Sequence, residues 1–154
     1  MTPRQSPAPA NRRVSLGLVA VQVFTSAALV LTSRPTLHAR WQLALIVAGV
    51  VLALWAVFAI GPWRVSVMPE VNQRTQLVTS GPYRWIRHPM YTALLLFAAG
   101  FVTLPLTWWK PLAWLALLSV LVLKARIEER QLVASFPQYA DYQQRSWRFV
   151  PWCY

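Results

Sequence analysis

GPYRWIRHPMY, residues 81–91, is a basic and aromatic stretch that runs directly into an apolar segment. Gly81-Pro82 predicts a turn. Pro89 favours the first position of a helix, because proline has no amide hydrogen to lose there and its φ is already helical. We expect His88 in extended backbone just before that helix, whose free amide groups would suit an anionic ligand group. A basic loop that only sets membrane topology would have the same composition.

The composition outside this stretch is typical of an integral membrane protein. Hydrophobic residues make up 56% of the 154 residues and charged residues 12%, about half the share usual in soluble domains. The net charge of +11 would suit nucleic acid, but long uninterrupted apolar runs argue against that class. We expect the positive charge to face anionic lipid headgroups, with no nucleic-acid partner.

Four apolar runs are candidates for membrane-spanning helices. Val14–Thr32 and Trp41–Trp63 are each long enough to cross a bilayer. A signal peptide is the alternative for the first run, but no small-residue cleavage site follows it. Tyr91–Leu106 corresponds to about 24 Å of helix and would span only with help from its flanks. Leu112–Leu123 is the fourth run, and its helix should continue as far as Leu132.

The third and fourth runs predict an antiparallel hairpin, because only a short turn separates them. Twelve of the fifteen lysine and arginine residues lie in the amino-terminal segment, the second loop and the carboxyl-terminal tail. The other three lie in the two loops on the opposite side, and this bias places both termini in the cytoplasm. We divide the chain into a polar, disordered tail (1–13), two amino-terminal spans (14–63) and a carboxyl-terminal region (64–154).

Two adjacent glutamates, Glu128 and Glu129, stand at the predicted membrane boundary in a chain with four acidic residues. Glu128 is one helical turn from Lys124, so an i, i+4 ion pair is one explanation. The alternative is that a carboxylate here binds the cationic group of a ligand. The predicted hairpin would bring this carboxylate close to His88.

An ordered set of motifs runs through residues 70–151. It comprises Leu77–Tyr83, Arg87–Tyr91, an apolar hairpin, Glu128-Glu129, and Phe136, Tyr139 and Tyr142. In this order and spacing the set resembles the isoprenylcysteine carboxyl methyltransferase family, integral membrane enzymes that use S-adenosylmethionine. We therefore predict an all-α integral membrane protein of about four transmembrane helices, the last two a hairpin, with a cytoplasmic cofactor site.

The resemblance also implies roles for individual residues. Cofactor-binding positions of the family match Thr75, Gln76, Leu77, Val78, Tyr83, His88, Pro89, Met90, Tyr91 and Glu128. Lys124 matches a position where the eukaryotic enzymes hold a substrate-contacting arginine, although lysine lacks the bidentate geometry of arginine. Arg126 is a second candidate for contact with an anionic substrate. We predict no metal and assign no catalytic residue, because the cofactor brings the reactive group and a carboxylate acceptor needs no general base.

Several functions remain open. The resemblance implies methyl transfer from S-adenosylmethionine to a lipophilic acceptor such as a carboxylate. A phospholipid N-methyltransferase would use the same cofactor with an amine acceptor. A membrane reductase of the steroid-reductase type would bind NADPH at a comparable face, and a non-enzymatic membrane subunit would use the basic loop to engage a partner or lipid. The expected partners are membrane lipids and a lipophilic or lipidated substrate, and the sequence does not indicate an oligomeric state.

Overall fold

The computed structural model describes residues 12–34, 40–62 and 77–152. Within these residues the regular elements are helices, and the only β-pairing is two isolated bridges. The helices are α1 (Arg12–Leu31), α2 (Arg40–Ile60), a short 3-10 helix (Gly81–Arg84), α3 (Pro89–Val102), α4 (Trp109–Ser135) and α5 (Tyr139–Arg145). The predicted all-α class is confirmed for this part of the chain.

The first two helices are long and apolar enough to cross a membrane. Their bounds lie close to the predicted spans, except that Trp63, the predicted end of the second, is outside the described residues. Both helices direct large apolar side chains outward, with Phe24 and Phe58 among the most exposed. Such a surface suits contact with lipid, because an apolar area of this extent is rare on a soluble monomer.

The third helix ends at Val102, four residues before the end of the apolar run at Leu106. Proline disfavours helical backbone in the residue before it, so Pro105 makes a helix through Leu104 unfavourable. The Lys110 amine instead donates to the carbonyl oxygens of Phe101 and Leu104 at 3.4 and 2.8 Å. The turn is therefore closed by a side chain.

The fourth helix begins earlier and ends later than predicted. It starts at Trp109, three residues before the predicted run begins at Leu112, runs to Ser135 instead of Leu132, and has Pro111 in its first turn. Proline is tolerated throughout the first turn of a helix, because amide groups there have no partner within the helix. The longer helix carries the paired glutamates well beyond its apolar part.

Contacts at the two ends show that the helices alternate in direction. At one end, the amide of Arg34 donates to the carbonyl of Leu104 at 3.0 Å, and Lys110 donates to Ser33 Oγ at 2.9 Å. At the other end, the last turns of α2 pack against the 3-10 helix, with the rings of Trp55 and Trp85 at 6.1 Å. The start of α3 and the end of α4 therefore meet at this second end.

Two glycines let α2 and α3 pack closely. A Cβ atom on Gly49 would lie 2.7 Å from the carbonyl oxygen of Ala93, and one on Gly100 would lie 2.5 Å from Ile46. Small residues at a helix contact allow the two backbones to approach, which favours association of helices in a membrane. This contact fixes the position of α3 and hence of the residues at its first turn.

Candidate active site

The segment that opens the site is shaped by Gly81 and Pro89. Gly81 has φ +58°, and a Cβ there would lie 3.0 Å from the side chain of Ala59, so glycine is required for both reasons. Pro89 begins α3, as predicted. His88 lies just outside that helix with φ −124° and ψ 60°, non-helical although short of fully extended. Its buried imidazole reaches the end of α4.

The carboxyl-terminal tail pairs with this segment through its backbone. The amides of Arg87 and His88 donate to the carbonyls of Trp147 and Arg148 at 2.7 and 3.1 Å, and Trp147 donates back to Trp85 at 2.9 Å. These bonds satisfy backbone groups that a short loop would otherwise leave to water. The tail is thus part of the site's framework, a pairing that no local signal in the sequence indicates.

His88 lies between the two glutamates. Its Nδ1 is 3.2 Å from Glu128 Oε2, and its Nε2 is 3.3 Å from Glu129 Oε1. The hairpin therefore brings its two ends together, as its antiparallel course predicts. Burial alone would lower the pKa of His88, but hydrogen bonds to both carboxylates outweigh it and raise this pKa above its ordinary value. Because both ring nitrogens face carboxylate oxygens, the geometry favours the protonated imidazole.

Glu129 is the centre of a buried ion cluster. Arg87 Nε lies 2.9 Å from Glu129 Oε1, and Arg148 Nη2 lies 2.7 Å from Glu129 Oε2. The Glu129 side chain is 6% exposed. Burial would raise its pKa, but hydrogen bonds from His88, Arg148 and Arg87 hold the pKa of this carboxyl well below its usual range. Arg87 also donates to the carbonyls of Gln143 and Ser146, which ties the cluster to α5.

Glu128 has a different setting. Its side chain is 21% exposed, and its carboxylate accepts a hydrogen bond from the Tyr91 hydroxyl at 2.6 Å in addition to the contact with His88. The rings of His88 and Tyr91 stack at 5.4 Å with an angle of 5° between their planes. The result is a fixed, accessible carboxylate beside an aromatic surface.

Tyrosines from two elements cover the same region. Burial, with smaller contributions from Tyr142 and Glu128, raises the pKa of Tyr83, so its phenol stays neutral. The Tyr142 hydroxyl donates to the Tyr83 carbonyl at 2.5 Å. The rings of Tyr139 and Tyr142 meet edge to face at 5.6 Å, so these two tyrosines, three residues apart, lie on one face of α5. α5 therefore folds back over the site.

The predicted cofactor residues are placed as follows. Tyr83, His88 and Pro89 are buried, whereas Met90, Tyr91 and Glu128 are half-buried. Leu77 and Val78 are half-buried just before the 3-10 helix, and Thr75 and Gln76 lie outside the described residues. The structure directly joins His88, Tyr91 and Glu128 by contacts of 3.2 and 2.6 Å.

The two predicted substrate residues do not converge. Lys124 is buried, donates to Gln22 Oε1 of α1 at 2.6 Å and lies 5.4 Å from the centre of the Tyr91 ring. Arg126 is exposed on another side of α4, where it lines a depression together with Glu129 and Arg130. Only Lys124 is close to the aromatic part of the candidate site.

Sequence reasoning missed Arg87, Glu129 and Arg148 as a unit. Glu129 and Arg148 are 19 residues apart, and Glu129 and Arg87 are 42 apart, so no motif spacing links them. The signal available in the sequence was charge. The chain has fifteen lysine and arginine residues and four acidic residues, so a buried arginine has few carboxylates with which to pair.

Comparison with known proteins identifies the family. Residues 39–139, well over half of the chain, match the sequence profile described as phospholipid methyltransferase. The chain belongs to the phospholipid methyltransferase family. Members are membrane methyltransferases and generally use S-adenosylmethionine. The match begins just before α2 and ends at the start of α5, so it includes His88, Tyr91 and Glu128.

A named relative is the cobalt-zinc-cadmium resistance protein CzcN of Cupriavidus metallidurans. It is 35% identical over 128 residues, an alignment that covers 74% of this chain and 55% of that protein. The chain thus spans about half the length of the curated relative it matches.

Proposed function

We propose that this chain transfers a methyl group from S-adenosylmethionine to a lipophilic acceptor, with a carboxylate as the accepting group, as in the isoprenylcysteine carboxyl methyltransferases. The observation that carries the proposal is Glu128. It is the accessible member of the glutamate pair, and His88 and Tyr91 orient it from two sides.

The chemistry of this site fits the proposed cofactor. S-adenosylmethionine carries an ammonium group and supplies a methyl group on a cationic sulfur. Glu128 offers a carboxylate for the ammonium group, and Tyr91 with Tyr83 offers aromatic surface, which attracts cations at close range. Leu77, Val78, Pro89 and Met90, together with Thr75 and Gln76, complete the cofactor-binding set in this proposal.

The protonation of the site favours a carboxylate acceptor. Both ring nitrogens of His88 face carboxylate oxygens, so neither is directed at an acceptor and His88 acts as a positioning residue rather than a base. An acceptor must then bring its own unprotonated nucleophile. A carboxylate does so at neutral pH, whereas an ammonium group would first have to lose a proton. The chain's own contribution is to orient the reactants and to exclude water.

We further propose that the chain crosses the membrane about four times, with both termini and the site in the cytoplasm. The bias of lysine and arginine supports this orientation. Cysteine tags placed at each terminus, in intact cells treated with an impermeant reagent, test it. Labelling of either terminus from outside would contradict the proposal.

Cofactor binding distinguishes a methyltransferase from the reductase and the non-enzymatic subunit. Detergent-purified protein should show a thermal shift with S-adenosylmethionine and none with NADPH. Glu128→Gln should reduce the shift with S-adenosylmethionine, whereas Asp141→Asn is a matched control, since Asp141 is an exposed carboxylate on α5. A shift with NADPH alone would contradict the proposal.

Phospholipid N-methylation is the second candidate, and the description of the matching family favours it. The two acceptors give products with different stability. A methyl ester releases methanol in base, whereas an N-methyl group does not. Lipid extract methylated with labelled cofactor and then treated with base should therefore release volatile label if the acceptor is a carboxylate. Retention of the label in the lipid would identify the amine acceptor instead.

A further inference from the structure

A depression of about 330 Å³ lies on the face where α4 meets the carboxyl-terminal tail, and Glu129, which also contacts His88, is part of its lining. Its lining consists of Arg126, Glu129, Arg130, Val133, Gln143 and Arg148. Three arginines and one glutamate therefore line one small volume. The candidate cofactor site does not use Arg126, Arg130 or Val133.

The charge of this depression is not balanced from within. The Glu129 carboxylate already forms ion pairs with Arg87, His88 and Arg148. Arg126 and Arg130 are exposed and one helical turn apart, and neither has an ion-pair or hydrogen-bond partner among residues 12–34, 40–62 and 77–152. Like charges at i, i+4 on a helix repel each other. An anion between them would remove that repulsion and add charge-assisted hydrogen bonds.

The position of the depression indicates which kind of anion. Arg126 and Arg130 continue a face of α4 on which Leu112, Leu115 and Leu123 are exposed. Along α4, exposed apolar residues are followed by two arginines. A membrane surface changes in the same order, from acyl chains to headgroups. Val133 adds an apolar edge beyond the arginines. The fork of a guanidinium group matches the geometry of phosphate, which anionic lipid headgroups supply at a membrane surface.

We propose that the Arg126–Arg130–Arg148 depression binds the phosphate of an anionic membrane lipid. The phosphate lies between the guanidinium groups of Arg126 and Arg130, with the acyl chains along Leu123. Arg148, on the edge of the same depression, belongs to the tail that pairs by its backbone with His88, so the lipid lies where α4 meets that tail. This site holds whether or not the chain transfers methyl groups, since its ligand contacts neither Glu128 nor Tyr91.

The test is lipid binding by the full chain in neutral detergent without any cofactor. Fluorescent phosphatidylglycerol should bind and raise the melting temperature, and phosphatidylcholine should bind more weakly because its own cation opposes the phosphate. Arg126→Gln with Arg130→Gln should weaken phosphatidylglycerol binding about tenfold or more, given about 1 kcal/mol for each basic residue at a membrane surface. Arg126→Lys with Arg130→Lys should retain part of the binding.

The matched control is Arg84→Gln with Arg145→Gln, which removes the same charge from exposed arginines outside the depression. It should leave the affinity for phosphatidylglycerol within about twofold of the parent chain, which is under 0.5 kcal/mol. An equal loss in both double variants would overturn the proposal, because it would show only general surface charge. Displacement of the lipid by millimolar inorganic phosphate would also overturn it, since the site would then take a free anion.

Discussion

Glu128 and Glu129 are neighbours in sequence, yet they occupy opposite kinds of environment. Glu129 is enclosed by Arg87, His88 and Arg148, whereas Glu128 meets His88 and a neutral tyrosine and keeps about a fifth of its side chain exposed. Adjacent residues on a helix point about 100° apart, so one can enter the interior while the other lines an opening. One carboxylate therefore holds the structure, and the other remains available to a ligand.

The largest expected effect comes from removing the charge of the enclosed carboxylate, Glu129. Glu129→Gln leaves Arg87 and Arg148 with uncompensated charge and His88 with Glu128 alone, and loss of one member of a buried ion pair costs about 3 kcal/mol or more. We expect a large fall in melting temperature in detergent. Glu128→Gln is the matched control and should melt within a few degrees of the parent chain. Equal melting of the two variants would show that the neighbours do not differ in this way.

Changes of pH act on the same cluster more gradually. The pKa of Glu129 lies below its ordinary 4.5, so its contribution is present above that pH and is lost as the pH falls through the folded-state value. The pKa of His88 lies above its ordinary 6.5, so its contribution is complete below pH 6.5 and is lost as the pH rises through the folded-state value. Both contributions are complete between pH 4.5 and pH 6.5, so the melting temperature should be highest in that range.

The variant His88→Asn tests the assignment of that alkaline decline. Asparagine does not titrate, so the decline of melting temperature above pH 6.5 should become smaller while the acid decline remains. An unchanged alkaline decline would assign it to another group.

Glu128→Gln tests whether the accessible carboxylate binds the cofactor. We expect cofactor affinity to fall by about 1–3 kcal/mol, the scale of a lost charged hydrogen bond. Isothermal titration with S-adenosylmethionine measures the loss. If Glu128→Gln bound cofactor normally while a folded Glu129→Gln protein did not, the roles of the two glutamates would be reversed.

Tyr91→Phe should have a smaller effect. It removes the 2.6 Å hydrogen bond to Glu128 and keeps the ring stacked on His88, so cofactor affinity should fall by about 1 kcal/mol. Tyr142→Phe removes a hydroxyl that bonds the Tyr83 carbonyl and provides the comparison. A larger loss with Tyr142→Phe would place the cofactor nearer α5.

The smallest expected effect is the coupling between His88 and Glu128. Their side chains are 3.2 Å apart, so His88→Ala and Glu128→Gln should not add in their effects on cofactor affinity. A double-mutant cycle should show coupling of about 0.5 kcal/mol or more. Strict additivity would mean that the two residues do not hold one ligand.

Much of the fold could be predicted from local signals. The apolar runs placed α1, α2 and the start of α3 to within a few residues, and Pro89 marked the helix start that the structure shows. The end of α3 lies before the end of its apolar run, because Pro105 disfavours helical backbone at Leu104 and the Lys110 side chain, from the next helix, takes the free carbonyl groups. The proline is a local signal, whereas the contact from the Lys110 side chain leaves no local pattern.

For the candidate site, the sequence by itself determined which two segments lie close together. A proline at the start of α3 and two glutamates past the apolar part of α4 must meet if the hairpin is antiparallel, because helix length depends only on the number of residues. Only the tertiary structure decided which of the two glutamates is buried and which remains accessible to a ligand. The burial of Glu129 and the exposure of Glu128 depend on Arg148, which arrives through the backbone pairing of the tail with Arg87 and His88. Charge and solvation are properties of the assembled surroundings, so two identical adjacent side chains acquire their different roles only when the chain has folded.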